Sequence, residues 1–135
     1  VCYAHIYNQS VSGATILFPT NTLGREYYSI NFENNSNTTD ANCWAYVIAT
    51  DTGTTTVEIT PSAATLTRPA GIPFNVTLTQ GQVFNLMGQT SGSTGVDLTG
   101  TRIRSINVGN GCKKIAVFSG SGRINIACGF QTSLC

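Results

Sequence analysis

A chain of 135 residues suits one domain with its own core, and a hydrophobic share of 41% is ordinary for a globular protein. Charge is the anomaly: Lys, Arg, Asp and Glu make up only 10% and sum to +1, where a typical soluble domain carries about a quarter. That balance excludes an electrostatic binder of nucleic acid or anionic membranes, and no apolar run approaches the roughly 20 residues that span a bilayer as a helix.

Apolar and polar residues alternate with period two almost throughout, and no segment has the spacing of a helix. The opening stretch 2–7 alternates around His5. Segment 14–18 is a short apolar run closed by Pro19. Segment 27–32 follows, with Tyr28, Ile30 and Phe32 on one face. Residues 33–42 are an Asn-rich loop. Segment 44–49 is nearly all apolar and is expected to be a strand buried on both faces, with Trp44 in the core. Asp51-Thr-Gly53 is a turn signal, and 55–60 answers it with clean alternation, so 44–60 is expected to form a hairpin. Pro61, Pro69, Gly71 and Pro73 punctuate a connector. A second hairpin is expected over 74–88. A three-residue loop at 80–82 would pair Leu78 with Phe84 and Val76 with Leu86. Residues 88–95 form a Gly/Ser/Thr-rich loop, 102–106 a short strand, and 108–111 a turn. The last predicted hairpin, 113–127, folds about 119–121.

Eight or nine short strands at such spacing predict an all-β fold, an antiparallel β-sandwich (jelly-roll-like), with propeller-blade-like sheets as the alternative. Residues 1–135 read as a single β domain. The chain opens on Val1-Cys2 without Met and ends on Cys135 after a loop-like stretch, as expected of a fragment or module of a longer surface protein.

Five cysteines in a neutral, Thr- and Asn-rich chain point to a secreted or cell-surface, oxidising setting. Cys112 and Cys128 flank the last hairpin symmetrically, which predicts a disulfide. Closing a loop of about 17 residues would contribute roughly 3 kcal/mol. Cys2 with Cys43 is the second expected pair, and Cys135 is then left for an intermolecular link. Asn8, Asn34, Asn37 and Asn75 begin Asn-x-Ser/Thr sequons, candidate glycosylation sites.

Catalytic chemistry is poorly represented. His5 is the lone histidine, with no motif supplying a nucleophile or an orienting acid. Glu26, Glu33, Asp40, Asp51, Glu58 and Asp97 are scattered rather than clustered for calcium or paired for glycoside hydrolysis. Asp97 reads as an Asx-type turn. No Cys-x-x-Cys offers a zinc site, and no Gly-rich loop matches a phosphate cradle. Lys113-Lys114, the one basic doublet, reads as surface.

Four stretches in order, 50–61, 74–84, Asp97-Leu-Thr-Gly-Thr-Arg-Ile-Arg-Ser105 and Lys114-Ile-Ala-Val-Phe-Ser-Gly120, resemble the N-terminal domain family named after the IgGFc-binding protein. That family also occurs in large surface proteins of gliding bacteria. The resemblance covers roughly residues 26–128. It departs where the family usually has Pro before the Ile-Ala-Val-Phe strand and this chain has Lys114, and family members are longer. The resemblance implies an extracellular, non-catalytic adhesion or matrix module, without the immunoglobulin-binding label. The expected function is a structural or adhesion module of a secreted or cell-surface protein, one unit of a filament or of a multidomain adhesin, with no cofactor. Its expected partners are neighbouring modules, copies of itself, or surface proteins and glycans. A carbohydrate-binding module using exposed Tyr residues is the alternative.

Overall fold

The computed structural model describes residues 2–8, 11–35, 39, 42–109, 111–122 and 124. Twelve strands lie among them: β1 (Cys2–Asn8), β2 (Val11–Leu17), β3 (Glu26–Tyr28), β4 (Asn34–Asn35), β5 (Cys43–Ala49), β6 (Thr54–Thr60), β7 (Phe74–Thr79), β8 (Val83–Met87), β9 (Thr90–Ser91), β10 (Thr94–Gly95), β11 (Arg102–Ile106) and β12 (Ile115–Ser121). One 3-10 turn spans Thr20–Thr22. Every described pairing is antiparallel.

Two sheets make a β-sandwich. One has the order β3-β11-β6-β7 and the other β12-β5-β8. Their inner faces meet in one core. Cys43, Ala45, Val47 and Ala49 of β5, Leu86 of β8 and Ile115 of β12 pack against Val57 and Ile59 of β6, Leu78 of β7 and Ile103 of β11. Small residues on β5 let the opposite sheet approach, and β-branched residues on β6 and β11 fill the space. A small sheet, β4-β10-β9, and the β1–β2 hairpin stand beside the sandwich.

The alternation identifies the inward faces but not the strand partners. Neither expected hairpin forms. β5 pairs with β12 and β8, whereas β6 pairs with β11 and β7. Residues 50–53 therefore carry the chain from one sheet to the other. Residues 80–82 do the same, since Leu78 pairs with Thr55 and Phe84 with Val47. Phe74 and Phe84 then meet edge to face across the core, with centroids 6.0 Å apart. The two crossings lie at the same end and hold each other. The Gln80 amide donates to the Gly53 carbonyl and the Gly81 amide to the Ala49 carbonyl, at 3.2 and 2.8 Å. An inward-facing apolar row looks the same in sequence whether its neighbour lies beside it or across the core.

The last expected hairpin is corrected too. β12 runs unbroken through Ser119, Gly120 and Ser121, which pair with Ala45, Trp44 and Cys43. Gly120 permits a close approach rather than a turn. A Cβ there would lie 2.6 Å from Cζ2 of Trp44, so the indole needs a residue without a side chain.

Candidate interaction surface

Strand β5 is not buried on both faces. Residues 43, 45, 47 and 49 are buried, while Trp44, Tyr46 and Ile48 face outward. Register supplies their neighbours. Ile48 lies between Val83 and Ala116, Tyr46 between Asn85 and Phe118, and Trp44 between Met87 and Gly120. These nine positions form an outer sheet face without a single ionisable Lys, Arg, Asp, Glu or His. Trp44, expected in the core, sits here instead and packs on Tyr46 with centroids 4.6 Å apart. Tyr46 is 37% and Val83 54% exposed. Apolar and aromatic side chains free of charge are the kind of surface from which the centres of protein interfaces are built.

The end of β2 overhangs this face. Ile16, Leu17 and Phe18 approach Ile48, Ala116 and Phe118 and enclose a groove of about 690 Å³. Lys114 ties down the segment that follows, its Nζ donating to the Asn21 carbonyl at 2.8 Å. Lys113 Nζ donates to the Thr52 carbonyl at 2.6 Å, and the Lys114 amide to Asp51 Oδ2 at 2.8 Å. The basic doublet thus pins a crossing between the sheets.

One edge of the face is secured by polar side chains. The Ile30 amide donates to Ser119 Oγ and that hydroxyl to the Ile30 carbonyl, at 3.2 and 3.0 Å. Phe32 and Ser121 repeat the exchange at 2.8 and 2.9 Å. Asn31 Nδ2 donates to the carbonyls of Trp44 (3.1 Å) and Gly120 (2.6 Å), behind the indole. The Asp97 turn completes the clasp. Asp97 Oδ1 accepts from the amide and hydroxyl of Thr99, at 2.8 and 2.7 Å, and Thr99 Oγ1 accepts from the Asn31 amide at 2.9 Å. Asp97 therefore makes an Asx turn. Leu98 between these residues is fully buried.

The outer face of the other sheet contrasts with this. Glu26 pairs with Arg102 at 2.6 Å and Glu58 with Arg104 at 2.7 Å. Thr56 and Thr77 hydroxyls lie 3.5 Å apart beside them. The hydrogen bond from Arg102 holds the Glu26 carboxyl below its ordinary range and raises the guanidinium in turn.

The remaining sequence expectations fall as follows. His5 is exposed on β1, its ring 6.0 Å from that of Tyr7. No group of three or more His, Cys, Asp or Glu suited to a metal occurs among the described residues. No helix among the described residues is long and apolar enough to cross a membrane. Asn75 is exposed on β7; Asn8 lies in β1 and Asn34 in β4; Asn37 is outside the described residues. Cys2 and Cys43 are not joined. Cys2 is exposed on the side hairpin, while Cys43 is buried, its thiol donating to the Phe32 carbonyl at 3.1 Å. Cys128 and Cys135 lie outside the described residues. The turn at 119–121 on which the Cys112–Cys128 pairing rests is replaced by continuous β12.

The sequence matches the family model described as IgGFc binding protein over residues 13–133, a wider span than the quoted motifs cover. No curated protein and no solved structure matches the chain.

Proposed function

The chain belongs to the IgGFc-binding protein family, and from that premise we propose that it is a non-catalytic structural or adhesion module of a secreted or cell-surface protein, which docks protein partners through the outer face of β12-β5-β8. The carrying observation is that face itself: an aromatic pair, Trp44 and Tyr46, at the centre of a sheet surface with no Lys, Arg, Asp, Glu or His. Aromatic side chains are enriched at protein interfaces, and charged ones are depleted at their centres. The scarcity of charge and the five cysteines support an extracellular location. The exposed Tyr46 ring beside Trp44 is also the specific feature that favours the carbohydrate reading, since exposed rings stack on sugars.

Beads coated with the protein and scored for adhesion to an extracellular-matrix preparation test the proposal, with a glycan array in parallel. Tyr46→Lys is expected to abolish adhesion and His5→Ala to leave it unchanged, with no glycan retained. Loss of adhesion in His5→Ala with a normal melt would overturn the non-catalytic reading. Retention on the array that Tyr46→Lys removes would replace protein docking with sugar binding.

A further inference from the structure

We propose that the apolar face is an acceptor for the β1–β2 hairpin of a second copy of this chain, so that copies join head to tail. The inference rests on the reading of that face as a protein-docking surface and names its occupant.

The donor is a hairpin with little support of its own. Among the described residues β1 and β2 pair only with each other, over seven registered positions from Cys2↔Leu17 to Asn8↔Val11. A two-stranded hairpin alone in water is at best marginally stable and needs a third strand or a packing surface. Among the described residues this one has no third strand, and only the end of β2 reaches a packing surface, at the groove; Ile6 is 75% and Tyr7 79% exposed, and the two project from opposite faces. Its edges also lack the lysines and prolines that keep exposed strands apart.

Charge selects the match. The first charged residue of the chain is Arg25, so the hairpin and its connection carry no Lys, Arg, Asp or Glu. The acceptor face carries none either. A charged partner would lose hydration there without finding a counter-charge. The hairpin loses nothing of that kind and covers aromatic surface. The other outer face, with its four paired charges, offers no such seat.

Size agrees as well. Seven-residue strands extend about 23 Å and a two-stranded ribbon is about 10 Å wide with its side chains. The acceptor strands hold five to seven residues. The groove under Phe18 adds an apolar margin. Such a contact lies at the small end of specific interfaces, so micromolar or weaker association is expected. Donor and acceptor are different patches, so the contact is heterologous and builds open chains rather than closed dimers. β1 lies outside the residues matched by the family model, whereas most of β2 lies within them.

Sedimentation of the full chain over a wide concentration range tests this, with two variants. Ile6→Lys/Tyr7→Lys charges both faces of the donor, and Val83→Lys/Tyr46→Lys charges the acceptor. All four positions are exposed, so melts should match the wild type. The wild type should form a concentration-dependent series, and each variant alone should stay monomeric, at least about tenfold weaker in association. Mixed in equal amounts, the variants should form a 1:1 dimer and stop there, because one donor and one acceptor remain intact. Three results overturn the proposal: a monomeric wild type at millimolar concentration, self-association of the acceptor variant, or no dimer in the mixture. If the wild type stays monomeric while Tyr46→Lys still loses matrix adhesion, the docking face stands and only its occupant changes. If chains form but adhesion ignores Tyr46→Lys, the adhesion reading fails and the self-contact stands.

Discussion

The two outer faces of the sandwich follow the same alternation and end in opposite chemistry. On β3-β11-β6-β7 the outward positions hold Glu26, Arg102, Arg104 and Glu58 in ion pairs, with threonines between them. On β12-β5-β8 they hold Trp44, Tyr46, Ile48, Val83 and Phe118. The domain has only thirteen charged residues, and four of them stand on one face. Water covers the first face at little cost. The second leaves apolar surface in solvent unless something seats on it. Inner packing fixes the fold for both faces, so the outer residues of β12-β5-β8 are free to serve contact.

The largest effect expected separates inside from outside on a single strand. Leu86 is buried in the core and Val83 faces outward three residues earlier. Leu86→Ala is expected to destabilise by about 2–5 kcal/mol, whereas Val83→Ala stays within about 0.5 kcal/mol. Equal losses in denaturant titrations would mean that the outer face is packed and not free.

Gly120→Val comes next. Its side chain must displace the Trp44 indole, which lies across the bare backbone, so about 1–3 kcal/mol is expected from overpacking. The chain has one tryptophan, and its fluorescence should shift with the substitution. An unchanged emission spectrum would show that the ring does not rest on residue 120.

Below these lies the charged face. Arg104 and Glu58 are 2.7 Å apart, with side chains 38% and 23% exposed. Arg104→Ala is expected to cost no more than about 1 kcal/mol, and association of copies should not change. A loss of association in Arg104→Ala would move the interface to the wrong sheet.

Much of this was legible in the sequence. The all-β class, the inward rows of β6, β7 and β8, the Asx turn at Asp97 and the family all follow from period, turn chemistry and motif order. Three things were not legible. Partners were misassigned because Asp51-Thr-Gly53 and the 80–82 loop look like hairpin turns whether they close a ribbon or cross a core. Trp44 was placed inside because an unbroken apolar run hides which side faces water. Gly120 in a Ser-Gly-Ser-Gly run reads as a turn, and only the indole lying over it explains its place within a strand. Asn31, Ser119 and Ser121 carried no signal at all, since a side chain that bonds a distant backbone leaves no local pattern.

The smallest effect concerns the pH response of the charged face. Arg102 donates to Glu26 at 2.6 Å and lowers the carboxyl's pKa below its ordinary value. A carboxyl depressed in the folded state adds stability that is fully present above the unfolded value. That stability is lost as pH falls through the folded value. Glu26→Gln removes the charge and keeps the shape. The variant should therefore melt slightly below the wild type at neutral pH, and the gap should close as the solution is acidified past the ordinary glutamate range. Both groups are exposed, so added salt should narrow the gap at neutral pH as well. The apolar face has no carboxyl or histidine to produce a matching response, so a variant such as Val83→Ala should track the wild type across the same range. A Glu26→Gln deficit that persists at the lowest pH would show that Glu26 acts through packing. The contrast between the two faces would then rest on shape rather than charge.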